Sequence, residues 1–415
     1  MKKICQACGI TAVKILLDLG LQPVQNRFAS KPHLEDYYHP LTLGQCQNCS
    51  LIQLINLVPA REIIPKVNWL KYNEPEEHLD ELSDIVCALR NLPEKPVACG
   101  ITYKDDSLLK RLDERSFGRT WRIEPEHDLG IAQKGIAGET IIPKITTHSV
   151  NNMTDKYGYV DVVIARHILE HALDTKAFLS IIWDILKPGG YIVFEVPDCT
   201  KEMDNNDYTM PWEEHILYFV PETLKSFFNY TSYDLVHFQQ YSYRTEDVQI
   251  AIVQKNENYE IKNLDSTLLD VPPQAFKKSE NYAESFFQYK KIIHSYLKKY
   301  SSSEGKIAIL GAGHRTVMYI KAMQIEDFID FIIDDTEHKQ GLYLAGTSLE
   351  IKSSEFLKKE NISLCLFCLS IQHEDKIIKK NHKFISEGGI FASTHSMQKK
   401  SIFKLASENF QYEID

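Results

Sequence analysis

Two cysteine pairs carry the most specific chemistry in this 415-residue chain. Cys5 and Cys8 are separated by two residues, and Cys46 and Cys49 repeat the spacing. Two intervening residues let each pair turn around one metal ion, and two pairs complete a tetrahedron. Four thiolates leave no open coordination position, so the pattern predicts a structural zinc ion. That ion would staple a small β-rich module that cannot fold on its own core. The competing reading is four buried or incidental cysteines. A redox role fits less well, because neither pair opens a helix after a strand. Cys365 and Cys368 share the spacing but lie in the apolar run ISLCLFCLSI. There they read as core residues of a buried strand.

The segment DYTMPWEEHILYF, residues 207–219, gathers groups suited to proton abstraction. A ketone makes the protons on its neighbouring carbon acidic enough for a side-chain base. Histidine suits that task, since it titrates near neutrality. The resulting enolate needs a hydrogen-bond donor. Glu214, His215 and Tyr218 supply those types of group. From the residues alone a second reading stays open, in which GluGluHis starts a solvated helix and Tyr218 and Phe219 are core.

These groups must be held by a scaffold, and the composition says which kind. The chain is 43% apolar and 25% charged, as soluble globular proteins are, with a net charge of −10. That balance argues against a nucleic-acid surface, which needs clustered basic groups. No apolar run of about 18 residues is present to span a membrane. The start, MKKICQACG, lacks the apolar stretch of a secretory signal. A cytoplasmic location is therefore expected, where thiols stay reduced.

Periodicity divides the chain into regions. Residues 1–60 hold the cysteine pairs and short β-like runs. Residues 61–95 read as a connector ending in a helix, with Leu79, Leu82, Ile85, Val86 and Leu89 at helical spacing. Residues 96–255 alternate helices with the strand candidates PVACGIT, TWRIE, VDVVIAR, YIVFEVP and VQIAIVQ. That alternation predicts a mostly parallel, doubly wound sheet. Residues 256–300 comprise a polar linker and a helix from about 275 to 299 with Phe286, Ile293 and Leu297 on one face. Residues 301–415 form a second α/β unit, with strands KIAILGAG, FIDFIID, SLCLFCLS and GGIFAST. Its Gly311-x-Gly313-x-x-Thr316 turn is a partial dinucleotide fingerprint without the third glycine. Asp334 and Asp335 follow about 20 residues on, where a ribose-binding acid stands in such folds. His373 and Glu374 follow another buried strand of this half.

The run DVVIARHILEHALDTKAFLSIIWDILKPGGYIVFEVP, residues 161–197, resembles the class I methyltransferases. The paired cysteines, this centre, TrpGluGluHis at 212–215, the stretch LDLGLQPVQNRF and the α/β C-terminal half together resemble the sugar C-methyltransferases of deoxysugar pathways. The likeness covers nearly the whole chain. It implies an N-terminal zinc module, a class I methyltransferase sheet that binds S-adenosylmethionine, and a Rossmann-like C-terminal domain. The implied substrate is a nucleotide-linked keto-sugar.

The resemblance also assigns residues. The donor site takes Gly100, Thr102, Tyr103, Arg166 and His167, with Glu124 accepting from the ribose. His215 is the general base, Glu214 and Tyr218 assist it, and His171 is the second candidate. Tyr72 and Asn73 reach the sugar. His314, Arg315 and Lys339 add charge for a pyrophosphate at the helix N-terminus that follows Gly313. The family's first donor loop reads roughly Glu-x-Gly-x-Asn-Asp-Gly. Here Gly100, Thr102 and Asp106 replace its acid and both glycines, and Thr102 and Asp106 are expected to crowd the donor. Two alternatives follow: an isomerase or epimerase that has lost the methyl donor, and a non-catalytic protein on the same core.

Overall fold

The computed structural model describes residues 3–34, 36–67, 74–115, 117–132, 137–244, 246–256, 273–303 and 305–411. The chain forms two compact units that interleave along the sequence. One takes residues 1–15, 44–199 and 214–276, the other 16–43, 200–213 and 277–415.

In the first unit the cysteine pairs form matching turns. Gly9 N–H donates to the Cys5 carbonyl and Ser50 N–H to the Cys46 carbonyl, both at 3.0 Å. Each donor has a positive φ, +72° at Gly9 and +63° at Ser50, which folds the chain back over its thiol pair. Cys5 Sγ lies 3.5 Å from Cys49 Sγ, and Cys8 Sγ lies 3.7 Å from Cys46 Sγ. All four sulfurs lie within 4.8 Å of one another. A tetrahedral zinc with bonds of about 2.3 Å requires edges of about 3.8 Å, so the donor set fits zinc. The neighbouring sulfurs, Cys46 foremost, push the Cys5 and Cys49 thiols far above their ordinary range. Ionising all four therefore requires a cation among them.

A six-stranded sheet is the body of this unit. Its strands are β5 (Val97–Gly100), β6 (Arg119–Arg122), β7 (Val160–Arg166), β8 (Leu186–Asp198), β10 (Tyr233–Tyr241) and β11 (Asp247–Lys255), in the order β10-β11-β8-β7-β5-β6. β6, β5, β7 and β8 run parallel, and β11 is antiparallel to both its neighbours. Every residue of β7 is buried. This explains its continuous apolar run, since helices cover both faces of a parallel strand. Its one acid before the end, Asp161, accepts from Val97 N–H and Lys187 Nζ, each at 2.8 Å.

The connector helix forms at Leu79–Cys87. Leu79, Leu82 and Val86 are fully buried against Leu108, Leu112, Val162, Val193 and Ile252. Each such side chain contributes roughly 1.5–3 kcal/mol by leaving water. Ile85 and Leu89 flank the stripe and are partly buried.

A shorter pairing places the histidine segment. β4 (Ile52–Leu54), just after the second cysteine pair, runs antiparallel to β9 (Leu217–Tyr218). Leu54 N–H also donates to the Ile216 carbonyl at 2.9 Å. His215 therefore takes its position from backbone next to the zinc module.

The second unit is built on a parallel sheet of β12 (Lys306–Leu310), β13 (Phe331–Ile333), β15 (Ile351–Lys352), β16 (Ile362–Phe367) and β17 (Ile390–Ser393), ordered β15-β13-β12-β16-β17. Gly311 ends β12 with φ +113°, and a β-carbon there would meet the Cys368 carbonyl oxygen at 2.6 Å. Only glycine fits that turn. Cys365 and Cys368 are buried core thiols. The helix Pro273–Ser303 is longer than its sequence signal and buries Tyr282, Phe286, Tyr289, Ile293 and Leu297.

Replacing Cys49 by serine should release the zinc and lower the melting temperature. Metal analysis finding no zinc in the native protein would contradict this assignment.

Candidate active site

The carboxyl ends of β5, β7 and β8 hold a buried set of charges. β7 ends on Arg166, whose side chain is 1% exposed. A guanidinium stays charged, so burial obliges it to find acceptors. Nε donates to Glu195 Oε2 at 2.6 Å and Nη2 to Glu195 Oε1 at 3.0 Å. The remaining donors reach the carbonyls of Lys104 and, at 3.2 Å, Pro75.

Glu195, in the middle of β8, is wholly buried and also receives His167 Nε2 at 2.9 Å and His78 Nε2 at 3.2 Å. Burial opposes its charge, yet Arg166 and the two imidazoles hold it well below the carboxylate range. His78 Nδ1 shares a hydrogen bond with the Tyr243 hydroxyl at 2.7 Å. Burial also opposes charge on His167, but Glu74, Glu170 and Glu195 raise it to about 10. Glu74 pairs with Lys104 at 2.6 Å.

A buried carboxylate braces the donor loop. Asp105 is fully buried and accepts from the N–H groups of Ile101 and Thr102, each at 2.7 Å, and of Arg166 at 2.9 Å. Burial pushes its carboxyl up to about 6. A β-carbon at Gly100 would come within 2.8 Å of both Leu109 and Asp105, so the acid of related loops has no room there.

Thr102 and Asp106, the residues expected to crowd the donor, have partners of their own. Thr102 has φ −127°, ψ 172°, which any residue adopts, and its hydroxyl accepts from Lys104 N–H at 3.2 Å within the loop. Asp106 starts a helix and turns its carboxylate to Arg122 Nε at 3.2 Å. Arg122 also holds Glu124, half-exposed just beyond β6, at 2.8 Å. Tyr103 opens the short helical turn after Thr102.

The donor set suits S-adenosylmethionine by its chemistry. Glu124 offers an acceptor for a ribose diol. Lys104 pairs with Glu74, and Arg166 with Glu195, so these four charges satisfy one another beside the loop.

The candidate proton-transfer groups sit along one wall. His171 ends the turn Leu169–His171 after β7 and is 7% exposed. His215 is partly exposed and meets His171 edge to face, with ring centres 4.7 Å apart. Tyr218 is buried on β9 with its ring 6.4 Å from that of His215. Glu214 is buried too, and no helix starts at this motif. The solvated-helix reading is therefore set aside. One carboxylate oxygen of Glu170 and one ring nitrogen each of His171 and His215 lie within 4.8 Å of one another.

The remaining candidates lie in the second unit or outside the described residues. His314 stacks on Trp212 at 4.3 Å. Arg315 Nη1 reaches Thr209 Oγ1 at 3.4 Å and lies 3.8 Å from Asp207. Lys339 Nζ donates to the Ala312 carbonyl at 2.7 Å and to Asp334 at 2.9 Å, so its charge braces the glycine turn. Tyr72 and Asn73 fall among residues 68–73, outside those described.

Sequence reasoning passed over Asp105, Glu170, Glu195 and His78 as site residues. Glu195 did leave a signal: a lone carboxylate inside the apolar run YIVFEVP must be paired once buried.

Three family models match in sequence order. They are a zinc binding domain over residues 5–63, a methyltransferase domain over 103–238, and a C-methyltransferase C-terminal domain over 252–394. The chain is 19% identical over 396 residues to the C-methyltransferase NovU of Streptomyces niveus, covering 93% of this chain and 94% of that protein. Among solved structures, magnesium protoporphyrin IX methyltransferase of Synechocystis PCC 6803 is 11% identical, with 44% of this chain and 83% of that one covered and a TM-score of 0.29. An S-adenosylmethionine-dependent methyltransferase of Clostridium acetobutylicum is 10% identical, with 44% and 93% covered and a TM-score of 0.30. At such TM-scores the fold assignment rests on the chain's own strand order and on the family models.

His167 yields a pH prediction. Its folded value of about 10 exceeds the free value of 6.5, so the folded state binds the extra proton. The stabilisation is complete below about pH 6.5 and is lost as pH rises through about 10. His167→Asn should therefore cost on the order of several kcal/mol at pH 6 and progressively less towards pH 10. Urea unfolding across that range reads the difference, and a pH-independent gap would refute the ion-pair account.

Proposed function

Since the chain belongs to the S-adenosylmethionine-dependent C-methyltransferases, we propose that it methylates a carbon beside the ketone of a nucleotide-linked sugar, with His215 as the general base. The observation that carries this reading is the burial gradient of the wall. His215 is the partly exposed imidazole beside Glu214 and His171, both buried. It can meet a substrate while its neighbours hold it in place.

The bound donor supplies an electrophilic methyl group. The chain's own residues must do the rest. His215 takes the proton next to the carbonyl, and an imidazole matches that task near neutral pH. Tyr218, with its ring 6.4 Å from that of His215, is the donor to the enolate oxygen that the family resemblance assigns, and Glu214 orients the imidazole or a sugar hydroxyl. The electron pair left on carbon forms the new carbon–carbon bond as the methyl leaves sulfur. The zinc module acts at a distance, through the β4–β9 pairing that seats residues 214–218.

The keto-sugar substrate follows from the likeness between this chain's motif set and that of the sugar C-methyltransferases. It is supported by the histidine pair, which supplies the base that removal of a proton from carbon needs.

A panel of nucleoside-diphosphate keto-sugars incubated with isotopically labelled donor should show one methyl added on carbon, read by mass spectrometry and NMR. His215→Ala should reduce turnover by about 10²-fold or more. Binding of S-adenosylhomocysteine, measured by calorimetry, should stay the same. Full activity in His215→Ala would remove it as the base, and methylation of no keto-sugar in the panel would remove the substrate class.

A further inference from the structure

Behind the two histidines lies a carboxylate that no step so far uses. Glu170 is 1% exposed, and among the described residues neither of its carboxylate oxygens meets a donor at hydrogen-bond distance. Buried acceptors are nearly always hydrogen-bonded, so this one calls for a reason. Exposure falls in order from His215, partly open, through His171 at 7%, to Glu170 at 1%. One oxygen of Glu170 and one nitrogen of each ring fall within 4.8 Å of one another. Backbone fixes the arrangement, since Ile216 N–H donates to the Glu170 carbonyl at 2.7 Å.

We propose that Glu170 is the positioning carboxylate of the His171–His215 pair, holding the imidazoles for proton removal and stabilising the positive charge that His215 acquires. This rests on the reading of His215 as the base. The proton leaves the substrate carbon for a His215 ring nitrogen, and the C–H electron pair becomes the nucleophilic pair of the enolate. A negative charge a few ångströms behind the ring then offsets the imidazolium, as the buried acid does in a Ser-His-Asp triad. Glu170 touches no substrate and acts through the rings.

Other charges face this group from each packed element. His167 Nδ1, at the end of β7, lies 3.7 Å from Glu170 Oε1. That imidazole is held on its other nitrogen by Glu195 at 2.9 Å and faces Glu74 at 3.9 Å. Lys104, from the donor loop, feels the Glu170 charge. Glu214 and Tyr218 flank His215 on its own strand and turn. His167 Nδ1 at 3.7 Å and His171 Nε2 at 4.0 Å approach the same Glu170 oxygen, so its charge is shared between His167 and the His171–His215 pair.

The test compares the full-length native protein with Glu170→Gln, which keeps shape and removes charge. Diethyl pyrocarbonate modifies only neutral imidazole, and mass spectrometry at a series of pH values reads it at His215 without any substrate. The midpoint should fall by about one pH unit in Glu170→Gln, because loss of a nearby negative charge disfavours the imidazolium. Turnover of a keto-sugar nucleotide should fall roughly tenfold or more with KM within about threefold, and Glu170→Asp should recover part of it. If Glu170→Gln does not fold, Glu170→Ala, which also removes the charge, carries the same midpoint measurement. An unmoved midpoint overturns the proposal. So does metal analysis that finds a second ion per native chain, absent in Glu170→Gln, since the trio would then be a metal site. An inactive His215→Ala beside a normal Glu170→Gln sinks only this inference, whereas an active His215→Ala sinks the base assignment itself.

Discussion

A guanidinium withheld from water sets the terms for the first unit. Arg166 reaches the end of β7 with almost no solvent contact, and every donor it has must be answered by protein. Glu195 answers two of them from the neighbouring strand, and two carbonyls, of Lys104 and Pro75, answer others. Removing one partner of such a pair typically costs 3–5 kcal/mol, because the other is left buried and uncompensated. The pair therefore ties the loop segments beside the sheet to strands that the backbone already pairs. The elements so tied are the donor loop after β5, the segment before the connector helix, and the ends of β7 and β8. His78 and His167 complete the coordination of Glu195 and extend the coupling to Tyr243.

The same constraint explains the unusual donor loop. In a glycine-rich loop the backbone gains proximity to a ligand by shedding side chains. Here Asp105 takes the space beside Gly100 and ties three amides together, one of them from Arg166 itself. The loop is stiffened from within instead of being left bare. The Thr102 hydroxyl folds into the loop and the Asp106 carboxylate turns to Arg122.

On the histidine wall, chemistry depends on depth. A base must meet its substrate, and so His215 keeps some exposure. The groups that set its charge work best where water is absent, since a low local dielectric strengthens their field. His171 and Glu170 occupy that layer. The zinc turns matter to this wall because β4 follows the second pair at once and carries β9 by its backbone.

The sequence by itself determined the zinc ligands, both parallel sheets and the stretch containing the histidines. Cysteine spacing is a local property, and a strand buried on both faces must be written in continuous apolar residues, as β7 and β16 are. The connector helix was legible for the same reason, through the spacing of Leu79, Leu82 and Val86. Long-range partners were not legible. Glu195 stands 29 positions from Arg166 and 117 from His78, and no local pattern encodes which charges meet. Nor does it tell that Lys339, which reads as a phosphate-binding cation, is occupied by Asp334 and a carbonyl. Periodicity reports which face of an element is dry. Only the packed chain decides which polar groups are shut in together, and each buried charge must then find its partner among whatever the fold has brought near.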